Sequence, residues 1–152
     1  MNTIQEYDPP IRTSDLRRPA LLAWLRLART YMKIDHASSE RMRCHGLSMA
    51  QFDVLAHVGA AEGITQQELA DELLVTKGNV CQLLDRMERS GLIERRQEGR
   101  SNRLFPTEKG RALFDAVVPR HEDDIVQHFG GLTHDEQTQL LRLLRKLDHS
   151  LS

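Results

Sequence analysis

The chain reads as mainly α with a minor β component: six helical segments interrupted once by a short hairpin. Three observations predict this. Apolar residues recur at helical spacing, as in Leu21, Leu22, Leu25, Ala28 and Met32. Serine or threonine stands at the head of five of the six segments, as Ser48, Thr65, Thr76, Thr107 and Thr133. Their side chains satisfy the free N–H groups of a first helical turn. Between Gly91 and Thr107 the helical period lapses, and two short β-like runs flank Gly99.

The elements follow in order. Residues 1–18 carry Pro9 and Pro10 among polar residues and are expected to form a flexible arm. Pro19 suits the first turn of a helix that runs to about Arg43, before Gly46. Ser48 caps a second helix whose Phe52, Leu55, Ala56 and Gly59 share a face. Thr65 and Glu68 form a capping box for a short third helix ending near Leu73. Thr76 opens a fourth, and Gly91 ends it. Strands are predicted over residues 93–96 and 103–105. Thr107 caps a long fifth helix that Pro119 should bend, and Thr133 with Glu136 opens the last.

At 152 residues the chain holds one domain with helical extensions. Its 28% charged and 39% apolar composition is that of a soluble globular protein. No apolar run nears the roughly 20 residues of a membrane span, so no membrane partner is expected. The N-terminus lacks an apolar signal region, and Cys44 and Cys81 are too few for a disulfide framework. A reducing, cytoplasmic setting is expected. No Gly-x-Ser-x-Gly, phosphate-binding loop or His-Glu-x-x-His occurs, so an enzyme is not expected, and neither a cofactor nor a resident metal is called for.

The net charge of −1 hides a polarity. From Thr76 to Arg111 there are nine basic and five acidic residues, an excess of +4, so the remainder carries −5. Local potential rather than net charge steers a protein to phosphates. On a wheel of 100° per residue, Val80, Leu83, Leu84 and Met87 of the fourth helix face one way. Gly78, Asn79, Gln82, Arg86 and Arg89 face the other. Asparagine and glutamine pair bidentately with adenine, and arginine with guanine or phosphate. Thr76 and Lys77 sit at the first turn, where a lysine reaches the phosphate backbone. The hairpin that follows carries Arg95, Arg96, Arg100, Ser101, Asn102 and Arg103, a basic loop suited to a DNA backbone or minor groove. The pattern is that of a helix-turn-helix with a basic hairpin attached, a device for laying one helix in a groove of double-stranded DNA.

The ordered set GLSMAQFDVLAHV, TQQELADELLVTKGNVCQLLDRMERSGLIERR and RLFPTEKG resembles the MarR (multiple antibiotic resistance regulator) family, over residues 19–150. The resemblance implies a winged helix-turn-helix over residues 47–111, and a dimerisation region made from residues 19–46 and 112–152. It implies a homodimer on a pseudo-palindromic operator, usually as a repressor, with Thr76–Arg89 as recognition helix and Gln97–Asn102 as wing tip. Family wings often carry Asp-x-Arg-Arg; here Ser101 stands at the aspartate, and Arg103 matches the wing arginine. The leucines at 140, 141, 143, 144 and 147 form a stripe on the last helix that a second copy would bury.

Relatives of this kind usually respond to a small aromatic or phenolic acid. His36, His57, Phe114 and His121 are the candidates to line such a pocket. Metal sensing by His121, Asp124 and His128, or by Glu40, Cys44 and His45, is an alternative, although no tight ligand pair is present. Oxidation of Cys44 or Cys81 is another. A winged helix that binds protein instead of DNA would share the fold without needing Asn79, Gln82 and the wing arginines.

Overall fold

The computed structural model describes residues 18–152, so the arm expected over residues 1–18 lies almost wholly outside the described residues. The elements are α1 (Pro19–Arg43), α2 (Met49–Ala60), β1 (Ile64–Thr65), α3 (Gln66–Glu72) and α4 (Lys77–Arg89). Then come β2 (Ile93–Glu98), β3 (Ser101–Pro106), α5 (Glu108–His128), a 3-10 turn (Phe129–Gly131) and α6 (His134–Ser150). The mainly α class with a small antiparallel sheet is as the sequence predicts. Two details differ from expectation. A two-residue strand, β1, precedes α3 and pairs with β3, giving the order β1-β3-β2. Strands β2 and β3 pair as far as Glu98 and Ser101, so the turn between them is only Gly99 and Arg100. Pro119 lies inside α5, which runs on through it as one long helix, because its fixed φ is a helical value.

Two compact units divide the chain, one up to Ala37 and one from Ser38 to Ser152. In the first, α1 leaves Trp24, Leu25, Tyr31 and Met32 more than half exposed. The second holds the core. Phe52, Val54, Leu55 and Val58 of α2 are buried with Leu69 of α3, Val80, Leu84 and Met87 of α4, Ile93 of β2 and Leu104 of β3. Met42, Leu47, Ala70, Leu92, Val117 and Val118 also belong to it, so the first half of α5 is part of this core. The capping boxes form as read: Ser48 with Gln51, Thr65 with Glu68, and Thr133 with Glu136. The Thr65 N–H donates to the Glu68 carboxylate and holds its pKa below the usual range.

The run Thr-Glu-Lys-Gly at 107–110 is a structural clamp. The Thr107 hydroxyl caps α5 by accepting from Gly110 N at 3.0 Å, and itself donates to Gly91 O. The Lys109 ammonium donates to Ser90 O at 3.0 Å, placing a cation at the C-terminus of α4. Gly110 packs so closely that a Cβ there would lie 1.9 Å from Leu92 O. Together they fix the α4–β2 corner against the start of α5.

Helices α1, α3 and α4 end in one motif, in which the last turn closes through a residue with positive φ. Gly46 and Gly91 take that place with φ of 72° and 73°. Leu74 takes it after α3, with φ 53°, and is 92% exposed. Left-handed backbone costs a non-glycine residue about 1–2 kcal/mol, against about 0.5–1 kcal/mol for the extra unfolded freedom of glycine. Leu74→Gly is therefore expected to raise the melting temperature by about 1–3 °C, read by thermal unfolding. A lower melting temperature would show that Leu74 packs in a way its exposure conceals.

Candidate nucleic-acid interface

Helix α4 is anchored by its apolar side. Val80, Leu84 and Met87 are at most 1% exposed, and Leu83 is half-buried. Thr76 caps it by accepting from Asn79 N at 3.3 Å. Lys77, Gly78, Asn79, Gln82, Arg86 and Arg89 all lie exposed, as the wheel predicts. A Cβ at Gly78 would meet nothing within 4 Å. Asn79, Gln82 and Arg86 also line a cleft of about 340 Å³, shared with Asp53 of α2 and Val75 of the α3–α4 turn.

The wing arginines divide into two sets. Arg95, at the wing root, turns onto α4 and pairs with Asp85 and Glu88, leaving its side chain 22% exposed. Its backbone N–H also donates to Glu88 at 3.0 Å. Arg96 pairs with Glu94 and lies over the Phe105 ring, 4.2 Å from its centroid. Arg103 donates to Gly63 O at 2.9 Å and pairs with Glu98, tying the wing to the backbone just before β1. The carboxylate missing at Ser101 is thus supplied from the opposite strand by Glu98. Arg100, in the turn with Gly99 (φ 61°), is exposed and has no protein partner among the described residues. Ser101 and Asn102 stand exposed beside it.

Charge counting along the chain missed this division. Asp85, Glu88, Glu94 and Glu98 are taken up by Arg95, Arg96 and Arg103. Lys109 is taken up by Ser90 O, while Arg111 donates to Gly59 O at 3.1 Å and pairs with Glu62. Arg89 donates only to Asp85 O within its own helix. Among residues 76–111, the basic groups left facing outward are Lys77, Arg86, Arg89 and Arg100, on α4 and the wing turn.

The pairing with Arg95 holds the Glu88 carboxyl below the usual carboxylate range and raises the Arg95 guanidinium above its own. A depressed carboxylate stabilises the fold above its unfolded pKa and stops doing so as pH falls through its folded value. The Glu88 contribution should therefore be intact at neutral pH and fade below the ordinary value of 4.5. Urea unfolding midpoints from pH 7 down to pH 3 should fall less steeply for Glu88→Gln than for the parent. Parallel curves would mean that the wing-root pair adds nothing to stability.

Each effector candidate in the second unit has its own partners. His57 Nδ1 lies 2.7 Å from Asp53 O. Phe114 covers Gly59 and lies beneath the Arg111 guanidinium. His121 packs on Phe52 with ring centroids 4.5 Å apart and the planes tilted by 52°, and its Nε2 meets Ser38 Oγ at 3.2 Å. His36 is exposed on the part of α1 that belongs to the first unit. Among the described residues, no three His, Cys, Asp or Glu side chains gather as metal ligands. Asp124 pairs with Arg41, and Glu40 with Arg43. Sequence reading passed over Gln66, which is buried on α3 and donates to Cys81 Sγ at 3.2 Å. Its place at the polar head of a capped helix gave no signal of burial.

A capped helix pair joined to a three-stranded antiparallel sheet with a short basic turn defines a winged helix-turn-helix protein. Comparison with known proteins narrows this. The family model described as the MarR family matches residues 45–103. A helix-turn-helix-type transcriptional regulator of Bacillus cereus strain ATCC 10987 is 33% identical over 127 residues, covering 83% of this chain and 86% of that one. AbsC, a MarR family regulator from Streptomyces coelicolor, superposes with a TM-score of 0.81 at 21% identity, over 95% of this chain and 98% of its own. A MarR family regulator from Listeria monocytogenes, solved with a 26mer DNA, gives 0.77 at 24% identity, over 84% and 87%. The chain belongs to the MarR family and is a DNA-binding transcriptional regulator, not an enzyme. No helix among the described residues is long and apolar enough to cross a membrane.

Proposed function

We propose that the chain works as a homodimer that reads a pseudo-palindromic operator and represses transcription there. One observation carries the reading: α4 buries Val80, Leu84 and Met87 while presenting Asn79, Gln82, Arg86 and Arg89 outward. In this reading Asn79 and Gln82 meet base edges, Lys77, Arg86 and Arg89 meet phosphates or guanine, and Arg100, Ser101 and Asn102 follow the backbone. Arg95, Arg96 and Arg103 act mainly by holding the wing in place. That the Listeria relative was solved on DNA supports the same mode here.

Dimerisation is supported by apolar surface the single chain leaves open. On α6, Leu141, Leu143 and Leu147 are 48%, 48% and 50% exposed. On α1, Trp24, Leu25, Tyr31 and Met32 are more exposed still. Contiguous apolar faces of this kind mark association surfaces. A twofold dimer places two recognition helices about one turn of B-DNA apart, roughly 34 Å. A small aromatic or phenolic acid that favours a dimer with differently spaced helices would release the operator.

Two measurements test this. Sedimentation at micromolar concentration should give twice the mass of one chain. Binding to a duplex selected from a random library should weaken with salt, with a log K slope of about −0.9 for each phosphate neutralised. A monomer, or a slope near zero, would overturn the reading.

A further inference from the structure

Leu74 combines two unfavourable features. Its left-handed backbone, φ 53°, would suit glycine, and its apolar side chain is 92% exposed. Backbone strain retained at a surface points to a task for the side chain that brings it. The chain neighbours of Leu74, Leu73 and Val75, line the cleft of about 340 Å³ beside α4, and Ala50 and Leu83 add to its apolar wall. An exposed apolar knob thus stands on the rim of an apolar hole. The charges are divided in the same way. On the knob side Asp71 and Glu72 close α3; Asp71 accepts from Gln67, whereas Glu72 is exposed with no partner among the described residues. On the cleft side the Arg86 guanidinium is exposed and likewise unpaired, while Asp53, which also lines the cleft, is already engaged. Acid beside the knob disfavours a polyanion there. Acid at the knob and base at the hole make the surface complementary to itself.

We infer that this face is a self-association surface, on which the Leu74 knob of one copy enters the α4 cleft of a second copy. The contact is twofold: each copy gives a knob and receives one, and Glu72 of each meets Arg86 of the other. It is separate from the α1 and α6 faces that support the homodimer, so through it two dimers assemble into four chains. One knob and one ion pair from each copy are little beside the roughly 1,200–2,000 Å² of a stable interface, so assembly needs high concentration. The regulatory consequence rests on the DNA-reading role proposed for α4. Asn79, Gln82 and Arg86 of the cleft are the residues assigned to DNA, so paired copies cannot hold a duplex, and a duplex parts them. The assembly is a reserve of protein that stays off DNA until operator is present.

Sedimentation from micromolar to submillimolar protein should show the mass rise from two chains to four. Leu74→Gly deletes the knob and is expected to melt later than the parent, so unfolding would not account for lost pairing. It should pair about a hundredfold more weakly, because each contact loses two buried leucines. Glu72→Arg and Arg86→Glu should each weaken pairing alone, and the two in one chain should restore it. A parent mass that never exceeds two chains, a Leu74→Gly protein that pairs like the parent, or a double reversal without recovery would overturn the surface. So would a Leu74→Gly protein that instead loses preference for thymine, because the side chain would then touch DNA. Adding the selected duplex should return four chains to two on each duplex. Four chains that persist on the duplex would overturn the competition and leave the surface standing. A parent that runs only from one chain to two, and loses that in Leu74→Gly, would count against the homodimer and uphold this surface. A protein that selects no duplex would count against the DNA-reading role, and the masses would still decide the surface.

Discussion

Gly110→Ala should unfold about 6–12 °C below the parent, which corresponds to a loss of about 3 kcal/mol. Two effects compete. Alanine in a helix is worth up to about 1 kcal/mol over glycine. Against that, the new methyl would lie 1.9 Å from Leu92 O, a backbone atom that cannot swing away as a side chain does. Leu92 O also accepts from Thr107 N at 3.1 Å, so any shift loosens the clamp as well as the α4–β2 corner. The clash wins. Gly78→Ala is the matched control, because nothing lies within 4 Å of a Cβ there and only the helix term remains. Thermal melts in which Gly110→Ala is no less stable than Gly78→Ala would refute the close packing.

The second large effect is on recognition. Gln82→Ala is expected to relax preference at particular base pairs by about 1–3 kcal/mol, a factor of roughly 5 to 150, with little change in melting temperature. Gln82 is exposed, and α4 is held by Val80, Leu84 and Met87, so its loss leaves the packing alone. Arg103→Ala is expected to weaken binding on every duplex alike, because the bonds to Gly63 O and Glu98 hold the whole wing. Selection from a random-sequence library, read for each variant, separates the two. A uniform loss from Gln82→Ala would remove its base-reading role.

Much of the fold was legible in short sequence windows. Each threonine or serine read as a helix cap accepts the bond expected of it, at Ser48, Thr65, Thr76, Thr107 and Thr133. Capping is a contact between residues three apart, so a window of four residues contains all of its physics. The split of α4 was legible for the same reason, since helical geometry fixes which residues share a face. Strand β1 was not. Two residues carry no measurable period, and Ile64 and Thr65 are extended because they pair with Leu104 and Arg103, some forty residues away. The end of α3 near Leu73 was legible, but its left-handed closure was not, because the chain uses Leu74 where the other two helices closed in this way use glycine.

The arginines show where such reading ends. Local chemistry decided that residues 76–111 are basic, that α4 has an apolar and a polar side, and that a short hairpin follows. Tertiary packing alone decided which cations face outward. Arg95 lies seven residues from Glu88 in the chain, and Arg111 lies forty-nine from Glu62, yet each pair is in contact. An ion pair depends on distance in space, which a linear count of charge does not record. The same holds for Gln66 and Cys81, fifteen residues apart and joined only because α3 crosses behind α4. Residue types and spacing were enough for the class of fold. The partition of the interface into groups that brace and groups that reach out came only with the folded chain, because burial and partner distance are properties of packing.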